Sequence, residues 1–181
     1  RVVNNGVVNL RAADPGTLLT LRESVVGTTL PLASSSKCIG IESEADVVIE
    51  RSLILGAQDE SCVSVEGADT SLELTDSVVT DCGFGGISAS NGPTLALDRV
   101  AIQSVTGYGV LSSFGGTVSI ADSILREVAF QVISDPVTGQ SLIVGGPLVL
   151  QTGSLDLDGV VFADHEGFAL WASSQASLTA R

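Results

Sequence analysis

Leu72-Glu73-Leu74-Thr75-Asp76-Ser77-Val78-Val79, Leu95-Ala96-Leu97-Asp98-Arg99-Val100-Ala101-Ile102 and Val118-Ser119-Ile120-Ala121-Asp122-Ser123-Ile124-Leu125 are three copies of one pattern, 23 residues apart. Each opens on an apolar-x-apolar alternation, carries a charged residue at its fifth position, and closes on two apolar residues. Alternation with a period of two marks a strand with one face turned inward; a helix would space its apolar residues at 3.6. The opening recurs outward in both directions, at Leu19-Thr20-Leu21, Val47-Val48-Ile49, Leu155-Asp156-Leu157 and Leu178-Thr179-Ala180. Successive openings are separated by 28, 25, 23, 23, 37 and 23 residues, so the long step reads as one repeat plus an insertion at 134–148.

A third apolar stretch closes each unit, as in Cys38-Ile39-Gly40-Ile41, Cys62-Val63-Ser64-Val65, Gly86-Ile87-Ser88-Ala89 and Gly109-Val110-Leu111-Ser112, followed by turns such as Ser90-Asn91-Gly92-Pro93. Self-similarity at a fixed period is the mark of a solenoid, in which each unit buries its apolar face only by stacking on its neighbours. The expected fold is all-β: one parallel β-helix domain over 1–181, about seven coils of about 23 residues with three short strands each. The equivalent residues Leu72, Leu74, Val79, Ile87, Leu95, Leu97, Ile102, Val118, Ile120 and Leu125 are expected to line one interior. The column Val25, Leu53, Val78, Ala101, Ile124 and Val161, next to an inward position, is expected to face partly outward as an apolar stripe.

The unit apolar-x-apolar-x-(Asp/Arg)-Ser-Val-Val … Gly-Ile-x-Ala resembles the right-handed parallel β-helix repeat of the pectate-lyase-like superfold, from about Val7 to the end of the chain. The resemblance implies architecture, because that superfold carries lyases, hydrolases, epimerases, tail spikes, adhesins and structural stalks. The catalytic signatures of its enzymes are absent here. The one histidine, in Ala163-Asp164-His165-Glu166-Gly167, lacks the Gly-His-Gly setting of the polygalacturonase type and reads as a solvated turn residue. No Arg-x-x-Pro-x-x-Arg of the pectate-lyase type occurs.

Composition narrows the functional classes. The 181 residues include 8 Lys and Arg against 21 Asp and Glu, a net charge of −13. Such a surface repels nucleic acid and anionic membranes, and no apolar run is long enough for a helical membrane span. Aromatics are 4% of the chain, few for a groove that stacks sugar rings. The expectation is a non-enzymatic, structural or adhesive scaffold from an extracellular or cell-surface bacterial protein, binding protein or glycan on a cell surface. Its ends read as cut from something longer, so that copies associate end to end. The alternatives are a carbohydrate-active enzyme, a lyase or glycoside hydrolase, and an excised fragment without activity of its own.

Candidate site residues follow from this frame. Asp156, Asp158 and Asp164 would suit a hard cation such as Ca²⁺, the one cofactor considered; alternating outward acids on an exposed strand are the plainer reading. Asp135, Thr138, Gln140, Leu142, Ile143 and Val144 in the insertion are the binding-loop candidates, since solenoids keep function in loops. Phe84, Tyr108, Phe130 and Phe168, with Trp171 beside them, are expected to form an aromatic column. Glu23, Arg51, Asp76, Arg99, Asp122 and Gly159, the fifth positions, should stack into a ladder of alternating charge. Three cysteines leave the pairing open: Cys38 and Cys62 share a unit position and form either a bridge or a stacked pair of thiols.

Overall fold

The computed structural model describes residues 2–3, 8–27, 37–57, 60–134 and 141–181. Among them the chain winds through three faces, one strand per face in each turn. The first turn holds β1 (Val2–Val3), β2 (Val8–Ala12) and β3 (Leu18–Arg22); the second β4 (Val25–Gly27), β5 (Lys37–Glu42) and β6 (Asp46–Glu50). Then follow β7 (Leu53–Leu55), β8 (Ser61–Glu66) and β9 (Ser71–Thr75), and β10 (Val78–Cys82), β11 (Gly85–Ser90) and β12 (Thr94–Asp98). The fifth turn is β13 (Ala101–Thr106), β14 (Tyr108–Ser113) and β15 (Thr117–Ala121). β16 (Ile124–Ala129) leads into a hairpin of β17 (Gln131–Ser134) and β18 (Ser141–Val144). β19 (Gly146–Asp158), β20 (Val161–Ala163) and β21 (Leu170–Ala180) complete the chain, with β19 and β21 each long enough to bend through two faces.

The first face stacks β1-β4-β7-β10-β13-β16-β20, and the other two join through β19 into one twelve-strand sheet. Every pairing between coils is parallel; only β17 and β18 pair antiparallel. The molecule is thus a parallel β-solenoid of about six turns rather than seven coils, because seven strands stacked on a face are spaced by six steps. No helix is long and apolar enough to cross a membrane among the described residues.

Register follows the repeat. Leu72, Leu95, Val118, Leu155 and Leu178 are successive partners, as are Leu74, Leu97, Ile120, Leu157 and Ala180. A strand alternates its side chains, so these columns point inward together. All ten residues expected in the interior are at most 2% exposed. The column Val25, Leu53, Val78, Ala101, Ile124 and Val161 is half-buried over most of its length, and Val161 is 52% exposed.

The corner between the third and first faces explains the fifth position. Glu23, Arg51, Asp76, Arg99 and Asp122 all adopt φ between 45° and 52°, and Gly159 continues the column at 63°. This left-handed conformation, unusual for residues other than glycine, makes the sharp turn from one face to the next. The following serine secures it. Ser52 and Ser77 are buried; Ser52 Oγ accepts the backbone N–H of Ser24 at 3.0 Å, and Ser77 Oγ accepts that of Ser52 at 3.0 Å. Each hydroxyl then donates to the carbonyl two residues back, Glu50 at 2.8 Å and Thr75 at 2.7 Å. Ser123 repeats the motif toward Val100.

The insertion is a hairpin that leaves the stack after β16. Val132 pairs with Ile143 and Ile133 with Leu142 in its antiparallel backbone register. The expected boundary at 148 is too late: Tyr108 already pairs with Gly146 and Val110 with Leu148, so Leu148 belongs to the core.

Candidate functional site

Polar groups converge above the second face, where β5, β8, β11 and β14 lie side by side. The column Ser61, Gly85, Tyr108 and Gly146 runs across it. Gly85 decides the arrangement: a Cβ there would lie 2.2 Å from Tyr108 Cε2. The phenol ring therefore lies flat over the neighbouring coil, and its hydroxyl reaches Ser61 Oγ at 2.7 Å, two coils away. Phe84 packs edge-on against the ring, with centroids 5.5 Å apart at 82°. Burial holds the phenol above its usual 10.0, with the hydroxyls of Ser61 and Ser88 opposing the rise. Tyr108 is thus a neutral hydroxyl at physiological pH.

Ser64 and Ser88 present hydroxyls beside it, and Lys37 Nζ lies 3.7 Å from Glu60 at the edge. These side chains line a groove of about 280 Å³. Hydroxyls, one ammonium and one carboxylate offer donors and acceptors to a hydroxyl-rich ligand. A nucleophilic reaction needs a base to activate the nucleophile. The hydroxyl of Ser61 faces a protonated phenol, and Glu60 is paired with Lys37.

The three cysteines resolve differently from either expected arrangement. Cys62 is bonded to Cys82, with Cα atoms 5.7 Å apart. Cys38 does occupy the same register as Cys62, since Ile39 pairs with Val63, but its Sγ donates to the Leu55 carbonyl at 3.1 Å. Two side chains standing parallel on adjacent strands point the same way. Cys82, ending β10 one coil further on, approaches Cys62 across a corner.

The expected aromatic column is divided. Tyr108 pairs with Gly146, and the Phe168 backbone carbonyl lies against Gly146 from the next turn, whereas Trp171 pairs with Val149 on the strand that follows. Phe84 contacts the space above Gly107, one register position before Tyr108. Phe168 is 71% exposed on the last turn. Only Phe84 and Tyr108 form a ring contact among the described residues.

The acids do not converge either. Asp156 and Asp158 project from the third face on β19, Asp156 lying 3.9 Å from Arg181, while Asp164 follows β20 at the far end of the first face. No group of three His, Cys, Asp or Glu suited to a metal ion occurs among the described residues. Of the loop candidates, Leu142, Ile143 and Val144 lie on β18, and Asp135, Thr138 and Gln140 fall outside the described residues. His165 lies among bends after β20, half-buried rather than fully solvated. The Glu166 N–H donates to the Val128 carbonyl at 2.9 Å, which sets His165 in the register of Val128 and Val105. Its Nδ1 is buried with no hydrogen-bond partner.

The fifth positions stack in register, but their charges meet in separate pairs rather than as a continuous ladder, and such pairs have counterparts elsewhere. Arg51 reaches Glu23 at 3.3 Å and Arg99 reaches Asp76 at 2.6 Å. Arg99 also pairs with Asp98. Hydrogen bonding to Arg99 lowers the Asp76 carboxyl below its usual value, and the same contact raises Arg99. Arg11–Glu42, Arg22–Glu50, Lys37–Glu60 and Arg181–Asp156 cross between neighbouring coils in the same way, and Arg126 donates to Gln103 at 2.7 Å. All seven described cationic side chains therefore engage an adjacent coil.

Compared with family models, curated proteins and solved structures, the chain shows no significant match.

Proposed function

We propose that this chain is a non-catalytic structural or adhesive scaffold of an extracellular or cell-surface bacterial protein, a right-handed β-helix of the pectate-lyase-like superfold. The observation that carries this reading is the use of its cations. Catalysis on an acidic polysaccharide needs Arg or Lys free to meet substrate charge; here every described one is engaged across a coil boundary. The Cys62–Cys82 bridge supports an oxidising compartment outside the cytosol. Binding to protein or glycan then falls to the outer faces and the 131–144 hairpin.

A second reading, a carbohydrate-active protein, is favoured by the groove over Tyr108, where an aromatic, a lysine and a carboxylate meet. Immobilised chain probed with a glycan array and with homogalacturonan, with and without Ca²⁺, separates the two. Saturable retention of intact glycan supports the scaffold. Accumulation of shortened or unsaturated chains, lost in Tyr108→Phe, overturns it.

A further inference from the structure

The corner ladder alternates acid and base, Glu23, Arg51, Asp76, Arg99 and Asp122, and then stops alternating at Gly159. Asp122 is paired in register with Arg99 on one side, yet Arg99 turns away to Asp76 and Asp98. Asp122 has no cationic partner among the described residues. On its other side stands Gly159, which brings no side chain. The Asp122 carboxylate leans into that space: its Oδ1 lies 2.6 Å from where a Cβ on Gly159 would be. By the logic of the ladder, this is the position of a cation.

The surroundings are aliphatic on one side, and on the other hold Arg99, whose charge is already taken up by Asp76 and Asp98. Arg99, Ala101, Asp122, Ile124, Gly159 and Val161 line a groove of about 350 Å³ at the foot of the stripe on the first face. Val161 is 52% exposed there, and Ala101 and Ile124 are half-buried. An acid without a cationic partner beside partly exposed aliphatic side chains is the complement of a cationic head on an apolar stem. Arginine and lysine have that form, because their methylene stems cover apolar surface while the head keeps its charge. The protein's charge of −13 adds long-range attraction for such a partner.

We infer that this groove binds a basic segment of a partner protein, with an arginine or lysine over Gly159 paired to Asp122 and a neighbouring apolar side chain against Ile124 and Val161. The inference goes beyond the scaffold reading by naming the chemistry of one partner and its place.

The test is an amide NMR titration with the peptide acetyl-Leu-Arg-Val-amide and its Leu-Glu-Val counterpart. The arginine peptide should give saturable shifts confined to residues 99–102, 122–125 and 159–162, and the glutamate peptide none. Asp122→Asn should weaken binding about tenfold, the worth of one partly shielded charge pair. Gly159→Arg should fill the position from within, since every other ladder residue holds the same backbone conformation with a side chain. That variant should lose peptide binding, the Asp122 carboxylate swinging clear of the new Cβ to pair with the introduced guanidinium. Should it not fold, Asp122→Asn decides alone. Equal binding by Asp122→Asn, or shifts scattered over other acidic corners, overturns the proposal. The same shifts on concentrating the protein without peptide would identify a second copy as the occupant, and would also overturn it.

Discussion

Ser77 Oγ ties two coils together: it accepts the Ser52 N–H at 3.0 Å and donates to the Thr75 carbonyl at 2.7 Å, while remaining only 2% exposed. The left-handed corner at Asp76 turns the chain, and this hydroxyl answers the backbone group that the corner below would leave without a partner. Ser77→Ala keeps the volume nearly constant but orphans a buried donor, at a cost of about 1–3 kcal/mol. Denaturant unfolding should show that loss. Ser177→Ala, exposed on the last strand, should stay within about 0.5 kcal/mol of the parent. Equal midpoints for the two variants would mean that the corner does not depend on its serine.

The Cys62–Cys82 bridge closes a loop of 20 residues across a coil boundary. Constraint of the unfolded chain by a loop of that size is worth about 3 kcal/mol. Cys82→Ser should lower unfolding free energy by roughly that amount, and reducing agent should have the same effect on the parent. Peptide mapping without reduction should recover residues 62 and 82 in one linked species. Recovery of a 38–62 link instead would contradict the geometry at this corner.

Tyr108 is the single tyrosine, so phenolate absorbance reports this group alone. Burial disfavours the charged form, and the folded value lies above 10.0. A raised folded value means that the stabilisation is complete below pH 10 and is lost as pH climbs through the folded value. Alkaline titration should therefore show late phenolate formation, coupled to falling stability. Tyr108→Phe should remove this alkaline slope while lowering stability at neutral pH by about 1 kcal/mol, because Ser61 loses its partner. Titration at the ordinary value would show that the ring is not held over Gly85.

Much of this was legible in the spacing of residues. The 23-residue step put Leu72, Leu95 and Val118 in one column and Asp76 beside Arg99, and the stack follows both. Other features needed the third dimension. Gly85 stands 23 residues before Tyr108, a signal for a ring lying on a bare backbone, but glycine at a strand start also marks an ordinary turn. His165 stands 37 residues after Val128, the same long step that separates Val118 from Leu155, so its register beside Val128 could have been found by carrying the insertion through. Its acidic neighbours made it read as a turn. The disulfide was hidden because Cys82 belongs to a different face from Cys62; spacing within a column says nothing about neighbours across a corner.

The central claim is that the cations serve the stack. Its most direct test is the thermal midpoint of a triple variant, Arg51→Gln, Arg99→Gln and Arg126→Gln, which removes three contacts between coils from one side of the molecule. The two exposed ion pairs contribute about 0.2–1 kcal/mol each and the Arg126–Gln103 hydrogen bond about 0.5–1.5 kcal/mol, so the midpoint should fall by roughly 2–14 °C for a chain of this size, and the ion-pair share should shrink at high salt. A midpoint equal to or above that of the parent would contradict the account and release these arginines for a ligand.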